Sequence, residues 1–254
     1  MKRQQTLEIL WQNDRLVAVA KPSGLATIPG RGEDDSVLQQ IAQRLTLPFK
    51  GEADPRVRVV HRLDKDTSGV LLFARNKDAQ RHLSHQFQNN KVQKEYIAIC
   101  AGRPPADRGE IDAPLCINPG SKNKMMISEA HGRPARTAWQ VEETFGEYCV
   151  IRCFPKTGKT HQIRVHLKSI GLPLAVDPLY NSTAPNPAGI FLSSFKRAYR
   201  PTSGEHERPL IDRLTLHAQK IRFRDVDDSL IEVVAEIPKD MRAALNQLRK
   251  FGRR

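Results

Sequence analysis

The chain has 254 residues, 39% hydrophobic and 27% charged, with 41 Lys and Arg against 28 Asp and Glu for a formal net charge of +13. That length buries enough apolar surface to fold without disulfide or metal staples. No apolar run approaches the ~18 residues of a membrane span, and residues 1–5 lack the apolar core of a secretory signal, so a cytoplasmic, monomeric protein away from membranes is expected. Cys100, Cys116, Cys149 and Cys153 contain no CxxC pair and read as small core residues. Two cysteines at 149 and 153 are too few for a structural zinc site, and no metal is expected.

The cationic surplus points to a polyanionic partner, and it is unevenly spread. From 148 to 176 there are five basic residues (Arg152, Lys156, Lys159, Arg164, Lys168) and no acid. Residues 241–254 hold five more (Arg242, Arg249, Lys250, Arg253, Arg254), again with no acid. Nucleic acid is the partner this favours, and aromatics at 6% are too sparse for a protein that binds single strands by stacking.

Residues 7–20 read as two short strands around an Asn13-Asp14 turn, and Lys21-Pro22-Ser23-Gly24 ends the run. Residues 57–60 and 70–75 read as strands flanking a polar connection, 61–69. Between Lys77 and Gln88, Ala79, Leu83 and Phe87 recur every four residues, which predicts an amphipathic helix. Residues 92–100 alternate, with Val92, Tyr96, Ala98 and Cys100 on one face and Lys94 interrupting it. Residues 137–145 and 147–154 read as a hairpin around Gly146. Strands outnumber helices and short turns join them. The expected fold class is α+β, a mixed, largely antiparallel sheet flanked by helices, in one domain spanning 1–254.

Two helices lie near the basic stretches. Thr160 reads as an N-cap, Gly171 as the C′ residue, and Pro173 forbids continuation. Between them Ile163, Leu167 and Ile170 form an apolar stripe, while His161, Arg164 and Lys168 share the polar side. Pro238 opens a second, basic helix over 238–251, with Met241, Leu245, Leu248 and Phe251 apolar and Arg242, Arg249 and Lys250 opposite. Both helices are expected to dock on the core and turn their cations outward. Residues 181–214, with Pro185, Pro187, Pro201 and Pro209 and the apolar Ile190-Phe191-Leu192, form a long irregular insertion of the kind that is functional or mobile.

Three motifs fail on inspection. Thr157-Gly158-Lys159-Thr160 resembles the end of a phosphate-binding loop, but the glycine required five residues before Gly158 is Cys153. His61-Arg62-Leu63-Asp64 lacks the Arg-Asp adjacency and the upstream glycine-rich loop of a kinase. His161 and His166 are five apart and point to different sides of a helix, unlike a zinc-protease pair. More specific is the connection His61-Arg62-Leu63-Asp64-Lys65-Asp66-Thr67-Ser68-Gly69, which packs two carboxylates, cations and a turn glycine between two apolar strands. As a solvated turn its ion pairs would be worth little. As a nucleophile, an aspartate there must stay ionised although partly buried, which calls for a nearby cation. Arg164 is a candidate.

These residues, with Val70–Arg75, Lys94-Glu95-Tyr96, Lys156–Leu167, Asp177-Pro178-Leu179-Tyr180 and Leu216-His217-Ala218, occur in the order and spacing of the RluA-type pseudouridine synthases, which the chain resembles over 7–180 and 214–236. Lys21-Pro22-Ser23-Gly24 is also typical. The resemblance implies the pseudouridine synthase catalytic fold, no metal, no diffusible cofactor, and isomerisation of specific uridines in structured ribosomal or transfer RNA. It implies that Asp64 is the nucleophile, that Tyr96 stacks on the target base and serves late proton removal, and that Arg164 pairs with the aspartate. Arg62 matches the residue that holds the base-flipped conformation. Lys159, His161, Lys168, Arg249 and Lys250 are the further RNA-binding candidates.

The sequence departs from the pattern in places. Lys159 stands where Arg usually precedes Thr-His-Gln, which keeps charge but loses a bidentate fork. Val176 stands where a glycine usually precedes Asp-Pro-Leu-Tyr, which puts that local turn in doubt. Residues 1–6 leave no room for the small RNA-binding domain that begins many relatives. Substrate choice is then expected from the catalytic domain, the insertion and the basic helix. Two rival readings are a catalytically silent RNA-binding protein of the same fold, and a glycosidic hydrolase using Asp64 and Asp66 as its carboxylate pair.

Overall fold

The computed structural model describes residues 7–30, 35–181, 188–196, 199 and 206–252. Pro185, Pro187, Pro201, Arg253 and Arg254 lie outside the described residues. In chain order the elements begin with β1 (Glu8–Gln12), β2 (Leu16–Lys21), α1 (Val37–Leu45), β3 (Arg58–Val59), β4 (Ser68–Ala74) and α2 (Lys77–Gln88). Six strands follow: β5 (Gln93–Ala101), β6 (Arg108–Asp112), β7 (Leu115–Asn118), β8 (Ser121–Ile127), β9 (Arg136–Phe145) and β10 (Tyr148–Pro155). The chain ends with α3 (Gln162–Ser169), β11 (Leu216–Arg224), β12 (Leu230–Val234) and α4 (Lys239–Phe251). It divides into two compact units, Met1–Lys94 with Ala218–Glu236, and Glu95–His217 with Ile237–Arg254. The predicted α+β class holds, and every strand pair with a determined register is antiparallel.

The first unit is organised around β4. Its Ser-Gly-Val-Leu-Leu-Phe-Ala run is buried at every position, which is why it reads as continuous rather than alternating apolar sequence. Val70, Leu72 and Ala74 pack with Ala79 and Leu83 of α2 and with Phe223. On one edge β4 pairs with β2 from Leu16↔Ala74 to Lys21↔Gly69. On the other, β3 covers Ala74 and Phe73, and β11 is a further neighbour. Gly69 has φ +126°, and a Cβ there would sit 2.1 Å from the Ala218 carbonyl oxygen, so only glycine permits this approach. The β1–β2 turn is set by Asn13, whose Oδ1 accepts from the backbone N–H of Arg15 and Leu16 at 2.9 and 2.8 Å. Asn76 caps α2 through the Ala79 N–H.

In the second unit β10 lies between β5 and β9, with β6 on the far edge of β9, while β7 and β8 form a separate hairpin. The alternation read along β5 separates two cores. Ala98 and Cys100 pack with Ile163 and Leu167 of α3, whereas Ile97 and Ile99 pack with Met241, Leu245 and Leu248 of α4. The basic helix therefore docks as predicted. Part of the insertion docks with it: Ile190 bridges Ile211 in antiparallel fashion, and both are buried in the α4 core.

Two details of α3 differ from the prediction. Its N-cap is His161, in the left-handed region at φ 53°, not Thr160. The Gln162 carboxamide Oε1 instead holds the first turn, accepting from the Lys159 N–H at 2.9 Å and the Thr157 hydroxyl at 2.7 Å. The polar side is also not solvent-facing throughout. Lys168 is exposed, but Arg164 is buried at 5% exposure, because the short helix packs a second face, through Val165, on Leu115, Ala135 and Tyr180. Gly171 does stand at C′, with φ 80°.

Candidate active site

In the first unit, the connection from β3 to β4 forms a tight turn in which the Thr67 N–H donates to the Asp64 carbonyl at 3.1 Å. Lys21, at 2% exposure, holds this turn from below. Its ammonium donates to the carbonyl oxygens of Pro22, Lys65 and Thr67 at 2.9, 2.6 and 2.8 Å. Such a buried cation is tolerable because backbone carbonyls replace the water it loses. Three more bonds pin the turn: Ser23 Oγ donates to Asp66 O at 2.7 Å, Gly24 N to Lys65 O at 3.0 Å, and Thr27 Oγ1 to Leu63 O at 3.1 Å. Lys21-Pro22-Ser23-Gly24 is thus the brace of the Asp64 turn, not merely a strand terminator. Asp64 is half-buried and Arg62 exposed.

In the second unit, Arg164 Nε and Nη2 donate to Asp177 Oδ2 and Oδ1, both at 2.8 Å, in a buried fork-to-fork pair. Asp177 Oδ1 also accepts from the N–H of Leu179 and Tyr180 at 3.0 and 3.1 Å, so the carboxylate shapes its own Asp-Pro-Leu-Tyr turn. The Tyr180 ring lies under the guanidinium at 4.9 Å. Its hydroxyl accepts from Met125 N at 2.7 Å and bonds His161 Nδ1 at 2.9 Å. Tyr96, half-buried on β5 opposite Cys153 of β10, packs against the core beneath α3. Val176, where a glycine was expected, is buried and held by Thr215, so the turn that follows it is intact.

The predicted residues therefore fall into groups. Asp64 and Arg62 belong to the first unit, and Tyr96, Lys159, His161, Arg164, Lys168, Arg249 and Lys250 to the second. The structure joins Arg164 to Asp177, a partner the sequence reading did not assign. His161 is engaged by Tyr180. Arg249, expected to present its charge to RNA, forks onto Glu143 with contacts of 2.6 to 3.1 Å, because the α4 surface faces acidic β9. Lys250 lies over the Phe251 ring at 5.1 Å, while Lys159 is half-buried and Lys168 exposed. Lys21, Asp177 and Tyr180 were visible as motif letters without roles. A lysine inside a strand and an Asp-Pro turn after a basic helix were the available signals. Among the described residues no group of three or more His, Cys, Asp and Glu side chains gathers as a metal site, and no helix is long and apolar enough to cross a membrane.

Residues 15–169 match the family model described as RNA pseudouridylate synthase. The chain belongs to that family. The chain is 41% identical over 182 residues to a ribosomal large subunit pseudouridine synthase D of Nitrosomonas europaea, covering 72% of this chain and 52% of the relative. It is 33% identical over 254 residues to a protein of the same description from Xanthomonas campestris pv. campestris, covering 98% and 71%. A dual-specificity RNA pseudouridine synthase RluA from Vibrio vulnificus is 36% identical over 180 residues, covering 68% of each. The chain thus spans between about half and seven-tenths of these curated relatives. Among solved structures, human RNA pseudouridylate synthase domain containing 4 superposes with a TM-score of 0.72 at 27% identity, covering 95% of this chain and 93% of the other.

Proposed function

We propose that this chain isomerises specific uridines in structured RNA to pseudouridine, with its two units working as one catalytic domain, as a cytoplasmic monomer. Large-subunit ribosomal RNA is the first substrate to test, because the relatives covering most of this chain carry that description. The observation that supports the reading is the braced Asp64 turn: three carbonyls on one buried ammonium hold the backbone around a half-buried aspartate. The reaction breaks the bond from the ribose anomeric carbon to the base nitrogen and forms one to the ring carbon. That carbon loses a proton and the nitrogen gains one.

A base within a helix cannot turn in place, so the uridine must first be flipped out at a cost of a few kcal/mol. Arg62, exposed beside the turn, is assigned to hold that conformation. Asp64 attacks, either at the anomeric carbon or after a glycal forms, and Arg164 supplies its countercharge. The Tyr96 ring walls the base, and its hydroxyl takes part in the final deprotonation. Lys159, His161, Lys168, Arg249 and Lys250 are proposed RNA contacts. The Glu143 and Tyr180 partners make Arg249 and His161 the weaker members.

The test is Asp64→Asn on a transcript carrying the target uridine. The amide keeps the shape but cannot act as the carboxylate nucleophile, so pseudouridine should vanish while RNA affinity stays within about threefold. Turnover near wild type would remove Asp64 from its role. Product mass separates the rivals: base removal lowers the RNA mass, isomerisation leaves it unchanged, and a silent protein leaves uridine.

A further inference from the structure

One edge of β4 faces β3 and β11. β3 ends at Val59, paired with Phe73, and β11 approaches at Gly69 through Ala218. Between them lies Leu72, with no exposed surface, so its N–H needs an acceptor. The acceptor is a side chain: the Leu72 N–H donates to His61 Nε2 at 3.0 Å. His61 is two residues past the last β3 pair, where the chain turns off the sheet toward Arg62 and Asp64. Its ring is clamped by Phe87 of α2, stacked at 4.6 Å and 20°.

We propose that His61 is a positioning residue for Asp64: its imidazole accepts the buried Leu72 N–H of β4 and so fixes the point at which the chain leaves the sheet for the catalytic turn. This rests on the reading of Asp64 as the nucleophile. The bond demands a neutral ring with Nε2 unprotonated, which places the proton on Nδ1. The surroundings enforce that state. Burial first, and the Lys94 ammonium second, push the His61 pKa down to about 3. Lys94 is itself lowered to about 8 by burial. The turn is then held at both ends, by Lys21 on the carbonyls of Lys65 and Thr67 and by His61 on β4. Asp64 lies between two anchors rather than on a free loop.

Two variants divide the functions of the ring. His61→Phe keeps the stack on Phe87 and removes the acceptor. His61→Gln loses the stack but carries an acceptor at a reach similar to Nε2. Single-turnover kinetics on the target transcript, well below either melting temperature, should show the rate for His61→Phe down by about 10–100-fold, the range for misplaced reacting groups, with RNA affinity within about twofold. His61→Gln should recover most of that rate. Amide exchange at Leu72 should speed up in the Phe variant and stay slow in the Gln variant. A Phe variant that turns over at the wild-type rate, or a Gln variant as slow as Phe, would overturn the proposal. Asp64→Asn run alongside tests the underlying reading separately, since activity there sinks the nucleophile whatever the His61 variants do.

Discussion

At the scale of single residues, Arg164 holds a partner that the sequence reading did not assign, Asp177. The guanidinium and Asp177 are both buried, with side chains 6% and 1% exposed, in a pair that also organises the Tyr180 turn. Removing one member strands the other charge in a dry setting. Arg164→Met should therefore cost roughly 3–5 kcal/mol, measured by urea unfolding, in addition to its effect on turnover. A loss below about 1 kcal/mol would mean that Asp177 finds water or another donor. Tyr96 poses a cleaner chemical question. Tyr96→Phe keeps the ring, so RNA binding should hardly move, while turnover falls by roughly 10²–10⁴ if the hydroxyl handles the proton. Tyr96→Ala should additionally lose stacking worth about 1–3 kcal/mol. Full turnover in the Phe variant would leave Tyr96 a wall and nothing more.

Histidines fix two junctions between elements, and burial lowers the pKa of both. His61 supports β4 as described. His166, with no exposed surface, bridges α3 to the Thr137 hydroxyl and the Ala113 carbonyl, each at 2.9 Å, and burial lowers its pKa. The unfolded chain binds a proton on each near the ordinary value of 6.5, while native His61 resists until about 3. Below about pH 6.5 the unfolded state therefore holds more protons. Stability is present in full above that value and is lost as pH falls through the window, by at most about 1.4 kcal/mol per pH unit for each group. Unfolding free energies at about pH 7.5 and 5.5 should show that slope. It should shrink in His61→Gln, and an unchanged slope would assign the acid sensitivity elsewhere.

The same elements show what sequence could and could not convey. The helix over 77–88, the first hairpin and the hairpin around Gly146 were legible because apolar spacing and turn residues are local signals. β6 and β8 were not, since Arg-Gly-Glu-Ile-Asp is largely exposed, Ser-Lys-Asn-Lys-Met-Met-Ile is at most half-buried, and both carry little alternation. β11 was missed as a strand because Gln219, Lys220, Arg222 and Arg224 break its apolar pattern. The inward turn of Arg164 was not legible either. Its partner is thirteen residues on, beyond the helix end, and a cation on a polar stripe reads by default as solvent-facing. The motif letters located the Asp64 turn, but only the carbonyls around Lys21 explain why it is rigid.

Across the whole molecule the +13 charge is partly spent internally, and this changes where RNA affinity should come from. Arg249 is held by Glu143, Arg136 by Asp112 and Glu110, and Arg152 by Glu95 and Glu142. A phosphate approaching Arg249 meets a cation already balanced by a carboxylate. In contrast Lys122, Arg133, Lys156 and Lys168 are exposed and make no ion pair among the described residues. Each phosphate contact a cation makes steepens the dependence of log K on log[salt] by about 0.7 for single strands and 0.9 for duplex. Arg249→Gln should flatten that slope by less than one full phosphate contact, about 0.7, at a stability cost of about 0–1 kcal/mol for a surface pair. Replacing Lys122, Arg133, Lys156 and Lys168 together by Gln should flatten the slope by about 2–3, with weaker binding at low salt and little change in melting temperature. Binding titrations over a salt series with wild type and these two variants decide the matter. A slope lost with Arg249 and kept without the other four would move the RNA-facing surface to α4.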